Sequence, residues 1–463
     1  MSGNQKLRTL LGTISILIVF SWGSALAQLE VIEETGPYSY NVVGPNNHGD
    51  VAGHGPDGGV DGAYGWFIWY GDGSILPIAP LAPTYINDNG IEAGVIHVSS
   101  PYASHAAIRI NGEVIDLHLL LNLPVESGSG SFVVGLTSTG TVAIRAWSYS
   151  RGGEGYLWSQ SAGVTEIALP DNAHGPEAMN ELGEVIGQCS YPDPDRWCVY
   201  YWSPVTGYEE IVSSSYYVYP VAINDRSEVV GYLYEKDPID GSISTPRQYY
   251  WRPGETLQIF ATGLGQVIDI NNSGTVLGWE SARPLGGYLW TASDGFIKRN
   301  LMLPGSTNTK RLHINDLDFV AGTTYGVKRN FLWTPTYGYQ VIDAYLPTDV
   351  EGMQGRFVVA DGLTRYEIVL PPATPVEAID DVVEDIVNLV EDGAIDDGEQ
   401  ASLGSKLDAA TTLFSDERTT PACNMINATV NQLNAKMKAG SIDPIAGSEL
   451  IEKLTAIEEC SGT

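Results

Sequence analysis

The side chains able to do chemistry are spread thinly along this chain. Seven histidines, His48, His54, His97, His105, His118, His174 and His313, are scattered, and no two stand four apart as helical metal ligands do. HExxH, the P-loop and the GxSxG nucleophile elbow are absent. The 56 acidic residues make chance neighbours inevitable, and neighbours do not define the separated carboxylate pair that glycoside hydrolysis needs. No catalytic residue and no metal set is nominated. Oxygen-rich turns remain: Asp193-Pro-Asp195, Asn87-Asp88-Asn89 and Asn315-Asp316-Leu-Asp318. Hard cations take such ligands, but no segment completes an EF-hand loop. The expectation is no cofactor, with Ca2+ as the alternative. Stacking of Trp and Tyr on sugars is the other chemistry on offer.

Composition narrows the partners. The chain has 463 residues, 24 Lys and Arg against 56 Asp and Glu, and a formal charge of −32. Such a surface repels phosphate backbones and anionic membranes, so no nucleic-acid partner is expected. Hydrophobic residues at 43% exclude a wholly disordered chain, and 52 glycines with 10% aromatics favour β-structure.

The first 27 residues read as a signal peptide. Lys6 and Arg8 precede an apolar run from Leu10 to Trp22, and Ala25-Leu26-Ala27 supplies the small residues of a cleavage site. The run is short for a membrane anchor. Gln28 stands where a lipoprotein needs Cys. The expectation is cleavage near Ala27 and no membrane insertion afterwards. Four cysteines in an exported chain suggest two disulfides, Cys189 with Cys198 and Cys423 with Cys460.

A pattern recurs seven times between residues 28 and 370. Its clearest copy is Asn180-Glu-Leu-Gly183-Glu-Val185-Ile-Gly187. The relatives begin at Asn46, Asn87, Thr137, Asn224, Asn271 and Asn315, at intervals of 41 to 50 residues. Asn suits an Asx turn, the fourth-place Gly suits positive φ, and the following aliphatics suit a strand. Ser227 and Asp318 replace that Gly in two copies, which predicts looser turns there. An aromatic–aliphatic–Trp element follows, as in Phe67-Ile68-Trp69 and Tyr249-Tyr250-Trp251, then a turn and another short strand. The second copy has Ala107-Ile108-Arg109 instead. Units of about 45 residues holding three or four antiparallel strands have the size of propeller blades. The prediction is a mainly β fold, a seven-bladed β-propeller, closed by a blade that Tyr38 to Val43 and Arg365 to Leu370 share. A stacked β-solenoid is the competing geometry.

The residues one past each octet, His54, Val95, Arg145, Gln188, Tyr232, Trp279 and Thr323, occupy equivalent places yet differ in type. In a propeller, equivalent places form a ring. His54, Arg145, Gln188, Tyr232 and Trp279 are the candidate ligand contacts, with unrelated strand-end residues as the alternative. The repeat Trp residues are better explained as core.

The run Ala222-Ile223-Asn224-Asp225 to Val229-Val230-Gly231, with Phe331-Leu332-Trp333-Thr334-Pro335, resembles the bacterial extracellular HAF repeat family over residues 40 to about 370. The resemblance implies export and a propeller-like body rather than a reaction. Thr137 and Arg109 depart from its pattern.

Pro371 to Pro375 is a linker by composition. Beyond it, residues 376–463 read as a small all-α domain. Apolar residues at helical spacing, among them Val376, Ile379, Val383 and Ile386, predict a first helix. Three more follow, with Asp396–Glu399, Thr420-Pro421 and Asp443-Pro444 as starts. Antiparallel third and fourth helices would bring Cys423 and Cys460 together. The segment resembles the FIMAH domain through its helix–Gly–helix rhythm and Thr420-Pro421-Ala-Cys423, which implies an accessory module.

The function expected is a non-enzymatic binding or recognition protein for glycans or proteins, secreted or at the envelope of a bacterial cell. The alternatives are a polysaccharide lyase or hydrolase with its site at the propeller channel, and a scaffold whose helical module docks a partner.

Overall fold

The octet and the Trp-bearing element turn out to be two halves of one packing device, repeated around a ring. The computed structural model describes residues 30–369 apart from single positions and short loop stretches, then chiefly 397–416 and 418–439 with isolated positions from 379 to 455. The chain divides into two compact units between Val369 and Leu370. The expected signal peptide, Asp193 and Asp195, and Cys460 lie outside the described residues.

The first unit is a β-propeller of eight four-stranded antiparallel sheets. The first strand of each blade touches the first strand of the next. The series runs from Asn41–Val43 in blade one to Val350–Gln354 in blade eight, which returns to Asn41–Val43 and closes the ring. The expected seven blades are therefore corrected to eight. The seven octets mark blades one to seven. Blade eight has no octet: its first two strands are joined by a tight turn at Gly355 and Arg356, with Gln354 paired to Phe357. Its fourth strand is Glu30–Thr35, which pairs antiparallel with Thr364–Val369. The two ends of the propeller segment do share a blade, but Asn41–Val43 belongs to blade one. Closure of this kind leaves no open edge between the first blade and the last.

Each octet is the turn between a blade's first and second strands. The side-chain oxygen of Asn224 accepts from the backbone N–H of Arg226 (3.1 Å) and of Glu228 (2.9 Å), an Asx turn. Its side-chain nitrogen donates to the backbone oxygen of Asn271, the octet Asn of the next blade, at 2.8 Å. Asn46 reaches Asn87, Asn87 reaches Thr137, Asn180 reaches Asn224, Asn271 reaches Asn315 and Asn315 reaches Gly355 in the same manner. The anchor thus serves its own turn and ties its blade to the next. Ser227 (φ 61°) and Asp318 (φ 59°) adopt the same left-handed backbone as the glycines they replace. Those turns are as tight as the rest, because the Asn acceptor sets the geometry and the side chain bears the strain.

The closing Gly has a steric reason. A Cβ on Gly231 would stand 2.1 Å from the Tyr219 carbonyl oxygen and 2.4 Å from the Tyr249 hydroxyl. Gly231 pairs with Tyr249, the first aromatic of the Trp element, and the Tyr249 hydroxyl donates to the Tyr219 carbonyl at 3.1 Å. The absent side chain lets an aromatic cross the sheet and bond the inner strand. The six repeat Trp residues, Trp69, Trp158, Trp202, Trp251, Trp290 and Trp333, are buried. Trp251, Trp333 and Trp290 pack in clusters that join residues of adjacent blades, so burying them holds neighbouring blades together. In blade two, Arg109 takes that place and pairs with buried Glu92 at 2.9 Å.

In the second unit, helices Asp397–Ser415 and Thr419–Ala439 are described continuously. Ile379, Val382, Ile386, Leu403, Leu407, Ile426, Leu433, Leu450 and Leu454 share one core. Cys423 is disulfide-bonded.

Candidate functional site

Every octet lies at one end of its blade, so the opposite end of the first and second strands forms a separate face. Tyr217 pairs with Tyr234 there in blade five, and Gly130 with Trp147 in blade three. The residues one past each octet lie on the second strands; Gln188, Thr323 and Arg145 reach the next blade, while His54, Val95, Tyr232 and Trp279 meet neighbours within their own blade. Gln188 donates to the Val218 carbonyl of the next blade at 2.7 Å. Thr323 is fully buried and accepts from Val350 N–H of the next blade at 2.9 Å. Tyr232 sits between Tyr219 and Tyr234. His54 stands against Trp66, 5.2 Å between ring centres. The backbone N–H of Trp279 donates to the Gln266 carbonyl. Val95 lies between Ala82 and Ala106 in its sheet.

Arg145 alone of these lines a cleft. This opening of about 560 Å³ lies between blades three and four, walled by Phe132, Val134, Arg145, Trp147, Gly153, His174 and Glu177. Phe132 stacks on Trp147 at 4.4 Å between centres with 19° between planes. Phe132 is 43% exposed, so the pair offers an aromatic surface to solvent. Arg145 faces Glu177 at 3.5 Å, a loose pair with donors and acceptors to spare. A Cβ on Gly175 would stand 2.8 Å from Arg145 Cγ, so that glycine gives the arginine its path. Burial raises the Glu177 carboxyl, against the pull of Arg145. Burial, and then Arg145, lower the His174 imidazole, whose Nε2 is 3.1 Å from Ser190 Oγ.

Glu177 is where it is because of a bulge. Pro176 pairs with Gly187 and Ala178 with Ile186, which leaves Glu177 extra in the inner strand. The same irregularity singles out Thr84, Val134, Val221, Ile268 and Glu351, with Arg311 in blade seven. Arg311, 50% exposed at its side chain, pairs with Glu351 across adjacent blades at 2.8 Å. Five of these bulged residues stand three before an octet anchor, a spacing that would have found Glu177 in the sequence. Trp147 and Phe132 had no such marker.

Inner-strand Asp269 gives a test of burial. Its carboxyl is pushed up to about 6, first by burial, although it accepts from Ile270 N–H at 2.8 Å. A raised carboxyl contributes stability below the ordinary Asp value that is lost as pH rises through about 6. Asp269→Asn is expected to stabilise the protein by about 1–2 kcal/mol near pH 8, each pKa unit being worth about 1.4 kcal/mol. The difference should vanish near pH 3. Denaturant midpoints across pH would check it, and equal midpoints at both ends would refute it.

Two other clusters need weighing. Cys189, Cys198 and Glu210 gather ligand atoms, but the two sulfurs are joined as a disulfide. His105 Nδ1 bonds Asp116 at 2.8 Å and its ring stacks on His118 at 4.1 Å. His118 Nδ1, rather than His105, meets Ser131, which is fully buried, so no activated nucleophile results. The oxygen-rich turns are engaged in the belt of octets: Asp88 accepts from Asn47, Asp316 from Asn272 and Asp318 from Asn271.

No protein-family model matches the chain, and no curated protein does. Among solved structures, virginiamycin B lyase from Staphylococcus aureus is 11% identical, with 74% of this chain and all of that one covered, at a TM-score of 0.37. Puromycin hydrolase is 12% identical over 74% of this chain and 59% of its own, at 0.39. Dipeptidyl peptidase 4 of Porphyromonas gingivalis is 7% identical over 69% and 51%, at 0.43. At this distance none of them informs the chemistry of the cleft, and the propeller rests on the sheet topology.

Proposed function

We propose that the protein is exported and binds glycans without transforming them, in the cleft between blades three and four. The observation that carries this reading is the pairing of two recognition elements in one opening. The Phe132–Trp147 stack offers a flat apolar surface to a sugar face. The Arg145–Glu177 pair offers donors and acceptors to its hydroxyls. The Cys189–Cys198 disulfide agrees with an oxidising compartment. The HAF-like repeats and FIMAH-like module of the sequence suit a rigid display body with an accessory domain. A lyase or hydrolase is the second reading, because Glu177, its carboxyl raised by burial, and His174, its imidazole lowered by burial, line the same cleft.

A glycan array probed with the wild-type chain, with and without calcium, tests the first reading. Arg145→Ala and Trp147→Ala should each weaken whatever glycan binds by about tenfold or more, the scale of about 1.4 kcal/mol. Full binding by both variants would dismiss the cleft. Release of soluble sugar products by the wild type but not by Glu177→Gln would favour the enzyme.

A further inference from the structure

On that reading of the cleft rests one further step. We propose that an aromatic track continues from the cleft across blades four and five and holds an extended, uncharged polysaccharide chain rather than a short sugar. His174 lines the cleft, and Trp197 of blade four meets it edge-on at 6.0 Å. Trp197 lies 5.1 Å from Tyr217 of blade five. Tyr217 lies 6.0 Å from Tyr219, Tyr219 5.1 Å from Tyr232, and Tyr232 5.9 Å from Tyr234. All are partly exposed; Trp197, Tyr217 and Tyr234 sit at the strand ends remote from the octets, and Tyr219 and Tyr232 form the next cross-strand pair but one inward.

The fold does not ask for these rings. Tyr219 pairs with Tyr232 and Tyr217 with Tyr234 in blade five, while the matching positions of blade seven pair Lys310 with Thr323 and Asn308 with Tyr325, one ring where blade five has four. Blade two pairs Ala82 with Val95. The propeller closes equally well with small or charged residues at those places, so the concentration of aromatics beside the cleft calls for a ligand. From His174 through Trp197 to the four tyrosines, which form two cross-strand pairs, the rings give a chain several weak stacking contacts, each tolerant of which hydroxyls it meets. Charge selects the class of polymer. The chain carries −32, and the arginines beside the track, Arg145, Arg196 and Arg247, already face Glu177, Glu210 and Glu235. A polyanion would be repelled, and an uncharged polyhydroxy chain would not.

The test is calorimetry on the full chain with neutral oligosaccharides from cellulose, mannan and xylan, from disaccharide to octasaccharide. Wild-type affinity for the bound series should rise with length by about tenfold or more. The double variant Tyr217→Ala, Tyr232→Ala should lose that rise and keep disaccharide affinity. Trp147→Ala should weaken every length. If the alanine variant unfolds, Tyr217→Leu with Tyr232→Leu keeps the apolar bulk without the rings and should lose the rise equally. Affinity independent of length, or equal loss at all lengths in the tyrosine variants, would overturn the track and leave the cleft standing. Failure to bind any neutral oligosaccharide would overturn the track, and failure to bind any glycan of the array as well would overturn both.

Discussion

Arg365→Ala is expected to destabilise the propeller by about 3–5 kcal/mol, the cost of removing one partner from a buried charged network. Arg365 is 3% exposed and belongs to the third strand of blade eight, at the seam where the two ends of the propeller chain meet. Its Nη1 donates to the carbonyls of Gly49 (2.6 Å) and Tyr70 (3.2 Å), and its Nη2 to Gly71 (3.2 Å), all in blade one. Nη2 also pairs with Glu34 of the N-terminal strand. The guanidinium lies 4.3 Å from the centre of the Trp69 ring. One side chain therefore ties the closing strand, the last blade and the first. The chain crosses this seam from Thr35 to Asn41 as it crosses the others, but here the N-terminal strand is held to its blade by pairing with Thr364–Val369, and Arg365 adds contacts to residues more than 290 positions away. Arg365→Lys keeps the charge and loses the planar fork, so it should fall between wild type and alanine. Chemical denaturation reads both values. A loss within about 1 kcal/mol for the alanine variant, the range of an exposed pair, would mean that the ring is held shut elsewhere.

Why the sequence led to seven blades follows from the same seam. An octet is legible because its turn needs a fixed set of residues: an acceptor side chain, a left-handed fourth position and a small closing residue. Blade eight turns with Gly355 and Arg356 alone, which leaves nothing periodic to count, and takes its fourth strand from the far end of the chain. The Trp element was legible because hydrophobic burial forces it, and the octet Asn was legible as a turn residue. Its second role, donating to the next blade, depends on how blades are arranged and no local pattern encodes it. The cleft was half legible. Arg145 stands in the repeat frame. Glu177 was hidden by a bulge that shifts the inner strand by one residue relative to its partner. Phe132 and Trp147 matter because they stack on each other across two strands, a relation of register rather than of repeat.

The belt of octet asparagines supplies the last expectation, with changes of opposite sign at two places. Asn224→Ala removes two acceptor contacts inside its own turn and the donor contact to Asn271, all in a buried setting. It also strips a 2.6 Å hydrogen bond from the buried Glu228 carboxylate. At about 1 kcal/mol net for each bond, and more where a buried group is left bare, the cost is about 3–4 kcal/mol. Asn224→Asp keeps the acceptor, loses the donor and sets a second carboxylate beside Glu228, so it should recover little of that loss at neutral pH. Thr137 is the converse. Its hydroxyl accepts from Thr141 N–H at 2.9 Å and so holds the turn, but threonine has no amide to reach blade four as Asn180 reaches Asn224. Thr137→Asn should restore the link and stabilise the propeller by about 1 kcal/mol. Denaturant midpoints decide both. If Asn224→Ala costs no more than an exposed turn substitution while Thr137→Asn adds nothing, the asparagines shape turns and no more. If the two shifts come out with opposite signs, cohesion between neighbouring blades is set by one amide per octet.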